Sequence, residues 1–211
     1  MSSNLIGNRD EYFNRDTGPA HFWEKTPDLL AGIIQLYLPN FGGMDVQRGG
    51  TWLGITKEGR FSCLTNFRVP MDKVRADAKS RGDILLNYLV GKDASDPYLR
   101  KIAQSAADYN DFNLLVGDFI KDEIYYYGTQ YHTSDPLKLQ PGKVHLSSTP
   151  SNIKIYGMSN ATLDTPWPKM ENGKRGFSQV CSNSTTEDEL IEGLFNVLSD
   201  PLRYFLFVIY Y

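Results

Sequence analysis

GGTWLGITKEGRFSCLTNFR, residues Gly49–Arg68, reads as a β-hairpin and decides the fold class. Thr51–Thr56 and Arg60–Asn66 are two extended runs joined by Lys57-Glu58-Gly59. Gly59 can take the positive φ that a three-residue loop with a bulge requires. The period of two places Trp52 and Thr56 on one face of the first run, with Leu53 and Ile55 on the other. Phe61, Cys63 and Thr65 share a face of the second run. Gly49-Gly50 fits neither a dinucleotide fingerprint nor a phosphate loop. Those glycines permit a tight turn into the strand or, in a second reading, close approach of a ligand to bare backbone.

The same patterning extends outward. Phe112–Gly117 and Glu123–Tyr127 form a second hairpin over Phe119–Asp122. Between the hairpins, Arg81–Val90 carries a helical stripe of Ile84, Leu85, Tyr88 and Leu89. Asp96-Pro97 reads as an N-cap followed by proline at the first helical position, with Tyr98, Leu99, Ile102, Ala103 and Ala106 at helical spacing. On the N-terminal side, Asn4-Leu5-Ile6 is the tail of a strand, and Leu29–Gly32 and Ile33–Leu38 are apolar runs. On the C-terminal side, Lys143–Ser147 and Ile153–Met158 are strand candidates, and Asp164-Thr165-Pro166-Trp167-Pro168 is a proline-rich turn. Thr186 and Glu189 make a capping box that opens a helix bearing Leu190, Ile191, Leu194, Phe195, Val197 and Leu198. Asp200-Pro201 stops it. The order of strands, two helices, strands and one helix gives an α+β class with antiparallel hairpins stacked on helices. With no repeat and no linker, residues 1–200 are expected to form one domain, followed by an apolar tail at 201–211.

Composition narrows the function classes. A chain of 211 residues can bury a core, and 13% aromatic residues argue against disorder. A formal charge of −3 gives no strong electrostatic case for nucleic acid or an anionic membrane. The longest apolar run, Tyr204–Tyr211, is far shorter than the roughly 20 residues of a membrane-spanning helix, so no transmembrane segment is expected. Cys63 and Cys181 lie far apart without a CxxC, as expected of free thiols in a reducing compartment. The beginning, MSSNLIGNRDE, lacks the apolar core of a signal peptide. His21, His132 and His145 are widely spaced, which offers no metal-ligand motif, and no GxSxG marks a serine hydrolase.

The informative polar groups stand where apolar runs stop. These are Asn8-Arg9-Asp10-Glu11, Thr65-Asn66 with Arg68, and Ser159-Asn160. Arg and Asn at strand ends can donate to a carbonyl or carboxylate, and Asp10 can hold Arg9 in place. The same residue types also form turns, so turn and pocket wall both stand as readings.

Seven stretches now carry a resemblance: NRDE (Asn8–Glu11), GGTWLGI (Gly49–Ile55), LTNFR (Leu64–Arg68), SRGD (Ser80–Asp83), YNDFNLLVGD (Tyr109–Asp118), YYYG (Tyr125–Gly128) and YGMSNATLDTPWPK (Tyr156–Lys169). In this order they resemble the transport and Golgi organization protein 2 family, also called the NRDE family. The resemblance implies an Ntn-hydrolase-like αββα sandwich of antiparallel sheets. In related bile-salt and penicillin amidases an N-terminal cysteine is the nucleophile. Arg9 and Asp10 resemble the pair that supports it, and Asn160 resembles a later asparagine that binds an oxyanion.

The sequence departs from that pattern. Only seven residues precede the NRDE stretch, and no cysteine is among them. Insertions near 33–42 and 143–155 interrupt the family motifs, and PLRYFLFVIYY resembles no family segment. The expectation is therefore an incomplete sandwich lacking its first strand and its C-terminal strands, from a truncated isoform or an imperfect gene model. An exposed tail at Tyr204–Tyr211 would be aggregation-prone.

As to function, the resemblance implies a haem-trafficking carrier linked to haem export, Golgi organisation and lipid homeostasis. Its expected location is the cytoplasm, with mitochondrial or Golgi association. Haem would be cargo and not a resident cofactor, and an acyl compound is the other small-molecule partner. The implied ligand-binding residues are Asn8, Arg9, Asp10, Glu11, Trp52, Asn66, Arg68, Ser159 and Asn160. No catalytic residue, iron ligand or oligomeric state follows. The alternative is an Ntn-type amidase or acyl-transfer enzyme, inactive here for lack of the N-terminal cysteine.

Overall fold

The structure is a computed structural model that describes residues 4–7, 21–22, 29–31, 51–131, 133, 135–140, 154–199 and 207–210. The chain divides into two compact units, one of residues 12–139 and one of residues 1–11 with 140–211. Each mixes helices with antiparallel strands, so the α+β class holds.

The central unit is built on a seven-stranded antiparallel sheet. In chain order its strands are β2 (His21–Phe22), β3 (Leu29–Ala31), β4 (Leu53–Thr56), β5 (Arg60–Asn66), β6 (Phe112–Asp118), β7 (Glu123–Gly128) and β8 (Leu137–Lys138), which is also their order in space. The β4–β5 hairpin forms as its sequence dictates. Gly59 has φ +81° and its N–H donates to the Thr56 carbonyl at 2.9 Å. Leu53 and Ile55 stand opposite Cys63 and Phe61, so these four share a face. The β6–β7 turn is held by Asp118, whose Oδ1 accepts from the N–H groups of Ile120 (3.0 Å) and Lys121 (3.1 Å). Asp122 takes φ 52° there, which aspartate tolerates better than most residues.

Helices α1 (Gly82–Val90) and α2 (Ser95–Gln104) lie on one face of this sheet, α1 over β4–β5 and α2 over β6–β7. The stripe Ile84, Leu85, Tyr88 and Leu89 packs with Tyr98 and Leu99 onto Leu64, Phe112, Leu114 and Val116. Each fully buried Leu or Phe there contributes about 1.5–3 kcal/mol. The Tyr88 hydroxyl donates to the Gly117 carbonyl and meets Ser95 Oγ, both at 2.9 Å, which satisfies a phenol that would be costly to bury unpaired. The guanidinium of Arg60 lies 4.1 Å from the centre of the Tyr88 ring and donates to the carbonyls of Tyr88 and Asp93, closing the helix pair onto β5. Helix α2 begins earlier than Asp96-Pro97 suggests. Tyr98 N–H already donates to the Ala94 carbonyl, and Pro97 falls in the first turn, where a missing N–H costs nothing.

In the second unit, β1 (Asn4–Gly7), β9 (Ile155–Met158) and β10 (Phe207–Tyr210) form an antiparallel sheet in the order β1-β10-β9. The strand tail read at Asn4-Leu5-Ile6 forms, against the expectation of a missing first strand, and a second expectation is corrected: Phe207–Tyr210 is no loose tail but the middle strand, paired with Asn4–Gly7 on one side and Ile155–Met158 on the other. An apolar run with both backbone edges paired is the ordinary pattern of a central strand. Two helices follow β9, not one. The first, α3 (Pro168–Asn183), grows out of the expected proline-rich turn, where Pro168 opens sixteen helical residues. The capping box of α4 (Glu187–Ser199) forms as expected. Glu189 N–H donates to Thr186 Oγ1 at 3.2 Å, and Thr186 N–H to Glu189 Oε2 at 3.3 Å. Ile6, Met170, Phe177, Leu194 and Val197 form the core of this unit.

Lys143–Ser147, the apolar run from 33, and both proposed insertions apart from residues 154–155 lie outside the described residues. No helix of the described residues is long and apolar enough to cross a membrane.

Candidate functional site

Strand register gathers several of the expected site residues at one end of the seven-stranded sheet. This end holds the start of β4, the end of β5, the start of β6 and the end of β7. Trp52 enters β4 with its carbonyl accepting from Leu64 N–H at 2.8 Å, and its side chain is buried. Asn66 closes β5 opposite Phe112 and is exposed. Arg68 follows two residues later, also exposed, and makes no hydrogen bond or ion pair with the described residues.

Behind these three the structure reveals a buried polar chain that the strand-end pattern did not single out. Asn113 Nδ2 donates to Thr65 Oγ1 at 3.1 Å, and Tyr126 OH donates to Asn113 Oδ1 at 2.7 Å. Thr65 is 2% exposed, Asn113 and Tyr126 0%. The Tyr126 ring meets Tyr131 edge-on, with centroids 5.3 Å apart. All three polar residues lie on the sheet face that carries Phe61 and Cys63, away from α1 and α2. A buried amide or hydroxyl is tolerated only when hydrogen-bonded. This chain therefore fixes three side chains in one arrangement and stiffens the sheet end. The available signal was Asn113 itself, an amide near the start of the otherwise apolar run FNLLVG.

The tyrosines of β7 divide by face. Tyr127 packs into the helix-side core and Tyr126 into the polar chain. Tyr125 is half-buried, with Lys138 Nζ 5.5 Å from its ring centre. Both thiols are held in the neutral form. Burial pushes the Cys63 pKa well above its usual range and raises that of Cys181.

Ser159 and Asn160 lie in the second unit, directly after β9. Ser159 is buried, Asn160 half-buried. The loop that carries them is tightly tied. Asp164, at φ 61°, accepts from Gly157 N–H through Oδ1 at 2.8 Å and donates its own N–H to the Gly157 carbonyl at 2.8 Å. Lys174 of α3 pairs with the same carboxylate. Thr165 Oγ1 donates to the Thr162 carbonyl at 2.7 Å. Asp164 thus occupies both backbone groups of Gly157 on the strand edge that β10 leaves open, and Ser159-Asn160 are positioned by a rigid loop. A concavity of about 600 Å³ opens between α3 and α4, lined by Gln179, Asn183, Glu189 and Asn196 among others, and none of the expected site residues lines it.

Asn8, Arg9, Asp10 and Glu11 lie outside the described residues, as do Trp23, His132 and His145. Among the described residues no group of three or more His, Cys, Asp and Glu side chains is placed to hold a metal ion.

Residues 4–204, which include all three strand-end clusters and the Asp164 loop, match the family described as Transport and Golgi organisation 2. The chain belongs to the Transport and Golgi organisation 2 family. It is 32% identical over 201 residues to the Transport and Golgi organization 2 homolog of Mus musculus and 33% identical over 201 residues to the corresponding protein of Homo sapiens. Each alignment takes in 93% of this chain and 64% of the relative. The Drosophila melanogaster Transport and Golgi organization protein 2 is 28% identical over 195 residues, covering 83% of this chain and 58% of its own length. The chain therefore spans somewhat less than two thirds of the length of these family members.

Proposed function

We propose that this member of the Transport and Golgi organisation 2 family is a small-molecule carrier with haem as its cargo, acting in haem export and lipid homeostasis without catalysing a reaction. The observation that carries the reading is the end of the seven-stranded sheet. There a buried aromatic, Trp52, and strand-end donors, Asn66 and Arg68, stand on a base stiffened by the Thr65–Asn113–Tyr126 chain. Flat ligands bearing carboxylates are held by aromatic surface together with a few fixed donors and cations. Ser159 and Asn160, and with them Asn8, Arg9, Asp10 and Glu11, belong to the other unit and are proposed separately, from the sequence, as ligand-binding residues.

Parallel assays of haem binding and of turnover on amide and acyl-coenzyme A substrates test it. Saturable haem binding without turnover supports the carrier. Turnover that disappears in Arg9→Ala would instead establish the second reading, an Ntn-type amidase or acyl-transfer enzyme.

A further inference from the structure

We propose that the loop Arg68–Val74 is a membrane-contact finger that inserts Met71 into an anionic lipid surface. The loop leaves the end of β5 and carries a single 3-10 turn at Met71–Lys73, in which no residue is buried. All seven residues from Met71 to Asp77 are exposed. Met71 is 86% exposed, the most exposed of the large apolar side chains described, and Val74 is 46% exposed. An apolar side chain standing alone on a surface is ordinary, but this one stands on a loop whose two feet are bolted down. At one foot, Phe67 N–H donates to the Asp111 carbonyl at 2.9 Å. At the other, Arg75 Nη2 donates to the carbonyls of Ala107 and Tyr109, both at 2.8 Å. Its backbone exchanges two 2.8 Å hydrogen bonds with the Asn110 carboxamide. Lys79 pairs with Asp108 at 2.6 Å just beyond. The tip is thus held out by a fixed frame, so little conformational entropy is lost on docking.

Charge and shape select the partner. Arg68 and Lys73 flank the tip and make no ion pair with the described residues, while Asp72 is the only acid between Arg68 and Val74. Further along, Lys79 is neutralised by Asp108 and the guanidiniums of Arg75 and Arg81 are tied to carbonyls, so the tip itself carries Arg68 and Lys73 against Asp72, a local +1 on a chain whose net charge is −3. A narrow apolar tip flanked by two cations complements an anionic bilayer, which accepts a protrusion of any outline. A stable protein interface needs roughly 800 Å² from each partner, more than a single short loop supplies. A tip of this size gives weak, reversible attachment that needs a second contact to be firm. Arg68 is shared with the carrier reading, but the residues that test the proposal, Met71 and Lys73, belong to no ligand set.

Co-sedimentation of the full chain with phosphatidylcholine vesicles, with and without about 30% phosphatidylserine, tests it. Binding is expected with the anionic vesicles alone. Lys73→Glu should lower it at least about fivefold and Met71→Ser about tenfold. Thermal melts and haem titrations of both variants should match those of the parent. Two results would overturn the proposal. One is no binding to anionic vesicles. The other is binding that Met71→Ser leaves intact, which would mark a general polyanion contact that nucleic acid would share.

Discussion

Asn113, the second residue of β6, has no solvent contact, so both ends of its carboxamide must be satisfied inside the protein. Replacing it by Ala removes the acceptor of the Tyr126 hydroxyl and the donor to Thr65 while leaving both partners buried. Loss of about 1–3 kcal/mol is expected in urea unfolding, because two buried hydrogen bonds are removed together. Tyr126→Phe removes only one of them and should cost about half as much.

Asp118 makes a pH-dependent contribution. Burial works to raise its pKa, but Lys121, 2.9 Å away, and the N–H groups of Lys121 and Ile120 outweigh that and hold it below its usual 3.8. A carboxylate depressed by folding stabilises the native state fully above its unfolded pKa and loses that contribution as pH falls through the lower folded value. The melting temperature should therefore fall on acidification from just above 3.8 downward, and Asp118→Asn should flatten that limb while leaving the shape of the curve at neutral pH unchanged.

At the scale of elements, legibility follows periodicity. The two hairpins, α1 and the capping box of α4 were readable because alternation, helical stripes and turn residues agree there. Helix α3 was hidden because its buried side uses glycine. Met170, Gly173, Gly176 and Phe177 are its buried residues, too sparse in large apolar side chains to show a stripe. The glycine of α4 has a matching reason. A Cβ on Gly193 would stand 2.6 Å from Val180 Cγ1, where α3 and α4 cross, and valine in a helix has little rotamer freedom with which to retreat. Gly193→Ala gains about 1 kcal/mol of helix propensity, but overpacking of about 1–3 kcal/mol should exceed it, giving a net loss in thermal denaturation. Thr186→Ala should cost about 1 kcal/mol through the lost cap.

For the molecule as a whole, strand order was the least legible feature. The run Phe207–Tyr210 reads as a tail because its partners are remote in sequence. Asn4–Gly7 and Ile155–Met158 flank it only once the chain has folded back on itself. Strand-end placement of Asn66, with Arg68 just beyond, was readable from where an apolar run stops, whereas the buried Thr65–Asn113–Tyr126 chain depends on register across three strands, which local pattern does not specify. Deleting residues 203–211 removes the middle strand and leaves β1 and β9 without their common partner. Hydrogen exchange should then show loss of protection in β1, β9 and α3 with protection retained in β5 and β6, because the two units have separate cores.

The claim that the sheet end holds a carried ligand is tested most directly by absorbance titration of the purified protein with haem, comparing the parent with Trp52→Ala and Asn66→Ala. The account predicts a saturable haem spectrum for the parent and at least about tenfold weaker binding in each variant, the loss of one good contact being worth about 1.4 kcal/mol. A haem spectrum that never saturates, or saturates equally in the parent and both variants, would contradict it.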